Sequence, residues 1–184
     1  MADGRRALLD AARVEFAARG YAATSVRDIL ARAGLTPPAL YHHFGSKAGL
    51  YAAVAVEINE MVIAGFERAA ARHRRFADRL IAALEDSRAV QRSEPSIALF
   101  LLSSPQDVAR HVELARLGPP VHPLAQFAQR IAADGRPAGL SQKQAADLAL
   151  TLILGLSRMA ALQTPREYSA SVEAAATMIR GGLM

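Results

Sequence analysis

Apolar residues recur along this chain at intervals of three and four, and nowhere do they alternate at a period of two over a useful length. That spacing collects side chains on one face of an α-helix. Leu9, Ala12 and Phe16 mark a first helix. Arg19-Gly20 predicts its close, because glycine accepts the left-handed conformation that ends helices. With Thr24 or Ser25 as N-cap, Val26, Ile29, Leu30 and Ala33 predict a short second helix ending at Gly34. Thr36 opens a third, with Pro37 in the first turn, where a missing N–H costs little, and with Leu40 and Phe44 as its inward pair. Gly45-Ser46 breaks it. A long fourth helix is expected from Lys47 into the early 70s, striped by Leu50, Val54, Ile58 and Met61. Later breaks are expected at Ser93–Pro95, Ser104-Pro105, Gly118-Pro119-Pro120, Asp134–Gly139 and Thr164-Pro165. The fold class is all-α, with about nine helices.

Composition agrees and narrows the chemistry. Among 184 residues, 52% are hydrophobic, enough for a packed core, and Ala occurs 40 times, which favours helix. Aromatics are 5% and Trp is absent, a poor basis for a β-sandwich or barrel. Cysteine is absent, which excludes disulfides, thiolate metal sites and thiol nucleophiles. The formal net charge is +5, and residues 1–50 carry seven Lys/Arg against four Asp/Glu. Over half the excess positive charge thus sits on the stretch with the shortest helices, as expected of a small basic module attached to a larger helical body. The charged N-terminus has no apolar signal region, and the longest apolar stretch, Leu148 to Leu156, is well short of the ~20 residues of a membrane span. The expectation is a cytoplasmic protein, with no membrane partner, associated with the nucleoid if it binds DNA.

From Thr24 to Phe44 the layout is that of a helix-turn-helix, the turn made at Gly34 and the second helix very short. With Leu40 and Phe44 inward, Pro37, Pro38, Tyr41 and His42 are left on the outer face, at the end of such a helix that enters a major groove. Arg27 points to the same side. Ser25, Thr36, Tyr41 and Lys47 are candidates for phosphate, Lys47 because the start of a helix adds its dipole to the ammonium charge. His42 and His43 do not make a metal pair, since neighbouring helical side chains diverge by about 100°.

These residues carry a resemblance. The runs Phe16-x3-Gly20-Tyr21-x2-Thr24-Ser25-Val26-x-Asp28-Ile29-x2-Arg32-Ala33-Gly34 and Leu40-Tyr41-x-His43-Phe44-x2-Lys47-x2-Leu50 resemble the opening of the TetR family of bacterial repressors. The likeness covers roughly residues 5–55. It implies a DNA-binding domain at 1–47 and an effector-binding and dimerisation domain at 48–184. It further implies a homodimeric transcriptional regulator on a palindromic double-stranded operator, most simply a repressor released by a small effector. By position, Arg27, Pro37, Pro38, Tyr41 and His42 align with contacts to bases or adjacent phosphates, and Ser25, Thr36 and Lys47 with contacts to the backbone. Pro37 and Ala39 stand where the family often carries hydrogen-bonding side chains. Base reading would therefore rest on Arg27, on His42, and on apolar contact of the prolines with thymine methyls.

In the remainder, the helix expected from Ser141 to Gln163 is apolar almost all round and must be covered all round. One side would face its own core and the other a second copy. Leu150, Ile153, Leu154 and Ser157, with Tyr168, Val172, Ala175 and Ile179 after Pro165, are the expected four-helix seam of a dimer. The alternative is an ordinary buried helix pair. An effector pocket is expected from Met61, Leu84, Phe100, Phe127, Ile131, Leu152 and Met159, with His111, His122, Arg116 and Gln126 as polar anchors. Such walls suit an apolar or amphiphilic ligand. Plain core explains every one of them equally well. No phosphate loop, HExxH or nucleophile elbow is present, so no cofactor, metal or enzymatic activity is expected. The rival is a DNA binder of the same fold controlled by a protein partner, or without a small-molecule effector.

Overall fold

The computed structural model describes residues 2–116, 123–133, 135, 137 and 139–182, and among these every regular element is a helix. The order is α1 (Ala2–Ala23), α2 (Val26–Ala33), α3 (Pro37–Phe44), α4 (Lys47–Ala70), α5 (Phe76–Ser93), α6 (Pro95–Arg110), α7 (Val112–Ala115), α8 (Pro123–Ala133), α9 (Gln142–Ala160) and α10 (Pro165–Gly182). The ten described helices include a single-turn element, α7, that apolar spacing is too short to reveal.

Local chemistry explains most boundaries. Gly20, at φ 72°, interrupts α1 where the sequence predicts a stop, but three further residues continue beyond the kink. Thr24 is buried, its hydroxyl donating to the carbonyls of Glu15 and Gly20 at 3.0 and 2.8 Å, so Ser25 is left to cap α2. Gly34 closes α2 in the left-handed region at φ 66°. Ser141 and Gln144 form a reciprocal capping box on α9. Thr164 and Glu167 bond to each other's backbone N–H at the start of α10. One expected break is absent, because α6 runs through Pro105 to Arg110. Pro105 is exposed, and the turn beyond it is tied down through Asp107, which accepts from the Tyr21 N–H and the Tyr51 hydroxyl. Those long-range bonds hold the helix past a residue that locally weakens it.

The chain divides into two compact units. The first comprises Met1–Ile58 and Leu99–Pro120, the second Asn59–Ala98 and Val121–Met184. In the first unit Leu8, Ala12, Phe16, Ile29, Leu40, Leu50 and Val54 are buried. An aromatic group runs from Phe16 to Tyr51 (centroids 4.9 Å apart) and on to Phe100 (5.0 Å). In the second, α10 packs on α5 and α9, and α9 on α8. Phe76, Leu80, Leu84, Phe127, Ile131, Ala149, Ile153, Tyr168 and Val172 are buried there. By length and composition alone α4 could cross a bilayer. In the fold its stripe of Leu50, Tyr51, Val54, Ile58, Val62 and Phe66 is core.

Candidate nucleic-acid interface

The turn between α2 and α3 is built from one glycine and two caps of different kinds. Ser25 accepts the Asp28 N–H at 3.1 Å, and its own hydroxyl and backbone N–H hold the Asp28 carboxyl below the usual range, with Arg19 adding to the effect. Thr36 is the N-cap of α3 but makes no side-chain capping bond. The reason lies in the next residues: Pro37 and Pro38 have no N–H, and the Ala39 N–H is taken by the Thr36 carbonyl at 3.1 Å. The first three positions of α3 therefore leave no free N–H for a phosphate, and the Thr36 hydroxyl is uncommitted.

The outer face of α3 is as its spacing predicts. Leu40 is fully buried, while Pro37, Pro38 and His42 are exposed and Tyr41 is 53% exposed. His43 is half-buried, its ring between His42 (5.1 Å) and Phe44 (6.1 Å). Phe44 is only partly covered, and the Arg5 guanidinium lies 5.4 Å over its ring. Arg27 is exposed on α2, and its charge adds to the lowering of the Asp28 carboxyl.

Ser46 then caps α4 by accepting the Gly49 N–H at 3.0 Å. Gly49 permits a contact that its helical position hides, since a β-carbon there would overlap the Phe44 carbonyl oxygen. That close approach sets where α3 ends against α4. Lys47 does not stand in solvent. Its ammonium is 4.3 Å over the Tyr21 ring, and burial pushes its pKa down while Glu113 and Asp107 pull it back up. Tyr21 is itself buried, stacked near Phe16 and 5.0 Å from His111. Burial, then the Glu113 carboxylate, pushes the Tyr21 phenol up to about 12. Burial drives the Tyr51 phenol up as well. Asp107 joins the group through its two bonds of 3.1 Å, and Gly20 leaves room for it.

Sequence reasoning missed Gly49, Tyr51 and Asp107, and treated Tyr21 as a family marker only. Partners 86 and 56 residues apart leave no periodic signal.

The other expected sites are placed differently. Of the pocket residues, Phe100 lies in the first unit against Tyr51, while Met61, Leu84, Phe127, Ile131, Leu152 and Met159 lie in the second. Leu84, Phe127 and Ile131 are buried, Leu152 is half-buried, and Met61 and Met159 are each 37% exposed. Of the anchors, His111 packs on Tyr21, Arg116 and Gln126 are exposed, and His122 lies outside the described residues, as does the Gly118-Pro119-Pro120 break.

Of the seam residues, Ile153, Tyr168, Val172 and Ile179 are buried in the chain's own core, so they are not open to a second copy. The Tyr168 hydroxyl is 2.6 Å from Ser87 of α5. Leu150, Ser157 and Ala175 are half-buried, and Leu154 is 40% exposed. Leu162 and Met178 are 73% and 77% exposed. Spacing told which residues share a face, but not which face turns inward.

Residues 8–54 match the family described as bacterial regulatory proteins, tetR family. Over 48 residues the chain is 54% identical to the HTH-type transcriptional repressor KstR2 of Rhodococcus jostii, covering 26% of this chain and 24% of that protein. Over 68 residues it is 43% identical to the HTH-type transcriptional activator FasR of Mycolicibacterium smegmatis, covering 36% and 31%. The chain thus spans 24% to 31% of the length of these curated relatives. Among solved structures it resembles a TetR-family transcriptional regulator from Pectobacterium atrosepticum at 27% identity and TM-score 0.69, covering 98% of this chain and 93% of that one. It also resembles GusR of Salmonella enterica, at 25% identity and TM-score 0.71, covering 98% and 95%. The fold is shared with the fatty acid degradation regulator FadR of Bacillus halodurans, at 15% identity and TM-score 0.76, over 97% and 99% of the two chains.

Proposed function

We propose, from the match of residues 8–54 to the tetR family of bacterial regulatory proteins, that the whole protein is a homodimeric transcriptional regulator. It represses from a palindromic operator and is released by a small apolar or amphiphilic effector. Residues 1–47 are its DNA-binding domain and 48–184 its effector-binding and dimerisation domain.

One observation carries the reading. α3 turns Leu40 fully inward and leaves Pro37, Pro38, Tyr41 and His42 in solvent, on a helix flanked by Gly34 and Gly45. Such a helix is short enough to enter a major groove end-on. Arg27 pairs with guanine, His42 reads a base edge, and the prolines meet thymine methyls. Thr36, Tyr41, Ser25 and Lys47 hold phosphates, Thr36 most freely because no cap engages its hydroxyl. One head reads too little sequence for specificity; two reach successive grooves about 34–36 Å apart. The seam uses Leu150, Leu154, Ser157 and Ala175, extended by the exposed Leu162 and Met178.

Selection from random duplexes tests this directly. The expected product is a palindrome whose binding falls linearly with log salt and is lost in Tyr41→Ala. A purified chain that enriches no sequence and retards no duplex at low salt sinks it.

The effector acts only through preference. A hundredfold tighter grip on the DNA-incompetent arrangement supplies about 2.7 kcal/mol per site. Thermal stabilisation by some members of a lipophilic library supports it. None across a broad library favours control by a protein partner.

A further inference from the structure

Lys47 is one of two lysines in the chain and occupies the first turn of α4, where the helix dipole disfavours a cation. Something must hold it there. Its ammonium rests 4.3 Å over the Tyr21 ring, and the carboxylates of Asp107 and Glu113 both attract it. The two acids are not equivalent. Asp107 is fixed, accepting from the Tyr21 N–H and the Tyr51 hydroxyl at 3.1 Å each, with Gly20 packed against it. Glu113 is exposed and stands on the one-turn α7, two residues from His111, whose ring is 5.0 Å from Tyr21, and its charge acts on both the Tyr21 hydroxyl and the ammonium. Tyr21 is held from behind by Phe16 and Tyr51 and beside by His111, so the ring cannot follow if the ammonium leaves.

We propose that Glu113 is an intramolecular rival of the DNA phosphate for Lys47. The Tyr21 face and the Glu113 charge together hold the ammonium back, and a phosphate must draw it off the ring to use it. Intrinsic DNA affinity is thereby set below what the cation could supply, and it is graded by how close Glu113 lies to the ring. This rests on the reading of Lys47 as a phosphate contact, and it assigns to an exposed acid on α7 the regulation of that contact.

The test is a double-mutant cycle on the full-length protein, read by fluorescence anisotropy of a labelled mixed-sequence duplex of about 30 base pairs at about 50 mM salt. Glu113→Gln is expected to bind about threefold to tenfold tighter, with a steeper salt dependence, because a cation–π contact alone holds Lys47 less firmly. Lys47→Met is expected to bind more weakly. In the Lys47→Met background Glu113→Gln should then change affinity by less than about twofold, as the rivalry has lost its object. Equal tightening in both backgrounds would reduce Glu113 to a general charge effect and overturn the proposal, as would no tightening in the wild type. Both results leave the DNA reading intact so long as Tyr41→Ala still abolishes binding. A wild-type chain that binds no duplex overturns the rivalry and the DNA reading together.

Discussion

Tyr21 shows how much one side chain can be asked to do. Its backbone N–H is bonded to Asp107, its ring seats Lys47, and the Glu113 charge acts on its hydroxyl. A free phenol titrates near 10, and in the fold this one is pushed up to about 12 by burial and then by Glu113. Between those values the folded chain keeps a proton that the unfolded chain releases. The stabilisation is complete below pH 10 and is lost as pH rises through about 12. Tyr21→Phe, which cannot ionise, should lose thermal midpoint less steeply than the wild type over that window, in scans at constant ionic strength. Gly49 makes the opposite kind of demand, for the absence of a side chain. Gly49→Ala would drive a β-carbon into the Phe44 carbonyl and should cost about 1–3 kcal/mol in denaturant unfolding.

At the scale of elements, α2 and α3 share a turn but use their caps differently. Ser25 is committed to Asp28, and Thr36 is not committed to its helix. Ser25→Ala should therefore cost about 1 kcal/mol of stability, measured by chemical denaturation. Thr36→Ala should change stability by under about 0.5 kcal/mol while weakening duplex binding severalfold. A Thr36→Ala variant that lost as much stability as Ser25→Ala would show that the Thr36 hydroxyl is not free. The glycine stop at Gly34 and the inward Leu40 are readable from neighbours within four positions, whereas the choice of Ser25 over Thr24 as cap rests on the bond from Thr24 to Glu15, nine residues away. Nor is the setting of Lys47 local. Its spacing says that it starts α4, yet the ring beneath it and the acids near it come from α1, α6 and α7.

For the whole molecule the dimer reading turns on the surfaces that α9 and α10 leave uncovered. α9 and α10 each bury one face against their own unit, and Leu162 and Met178 remain 73% and 77% exposed. Under the dimer reading, Met178→Asp should give a folded monomer in sedimentation and weaken operator binding by more than about tenfold, since one head then binds alone. Ala175, half-buried on α10, is a poorer place to cut, because its substitution would disturb the core as well.

What the residues alone determined is local: helical periodicity, caps, the glycine turn, and the outward face of α3. Their causes lie within one or two turns of chain, and composition and spacing record them. Only the tertiary structure decided that Ile153, Tyr168, Val172 and Ile179 face inward, and that α6 continues through Pro105. It alone seats the Lys47 ammonium on Tyr21. Those outcomes depend on partners brought together from distant positions, where burial and charge act through space and leave no period in the sequence.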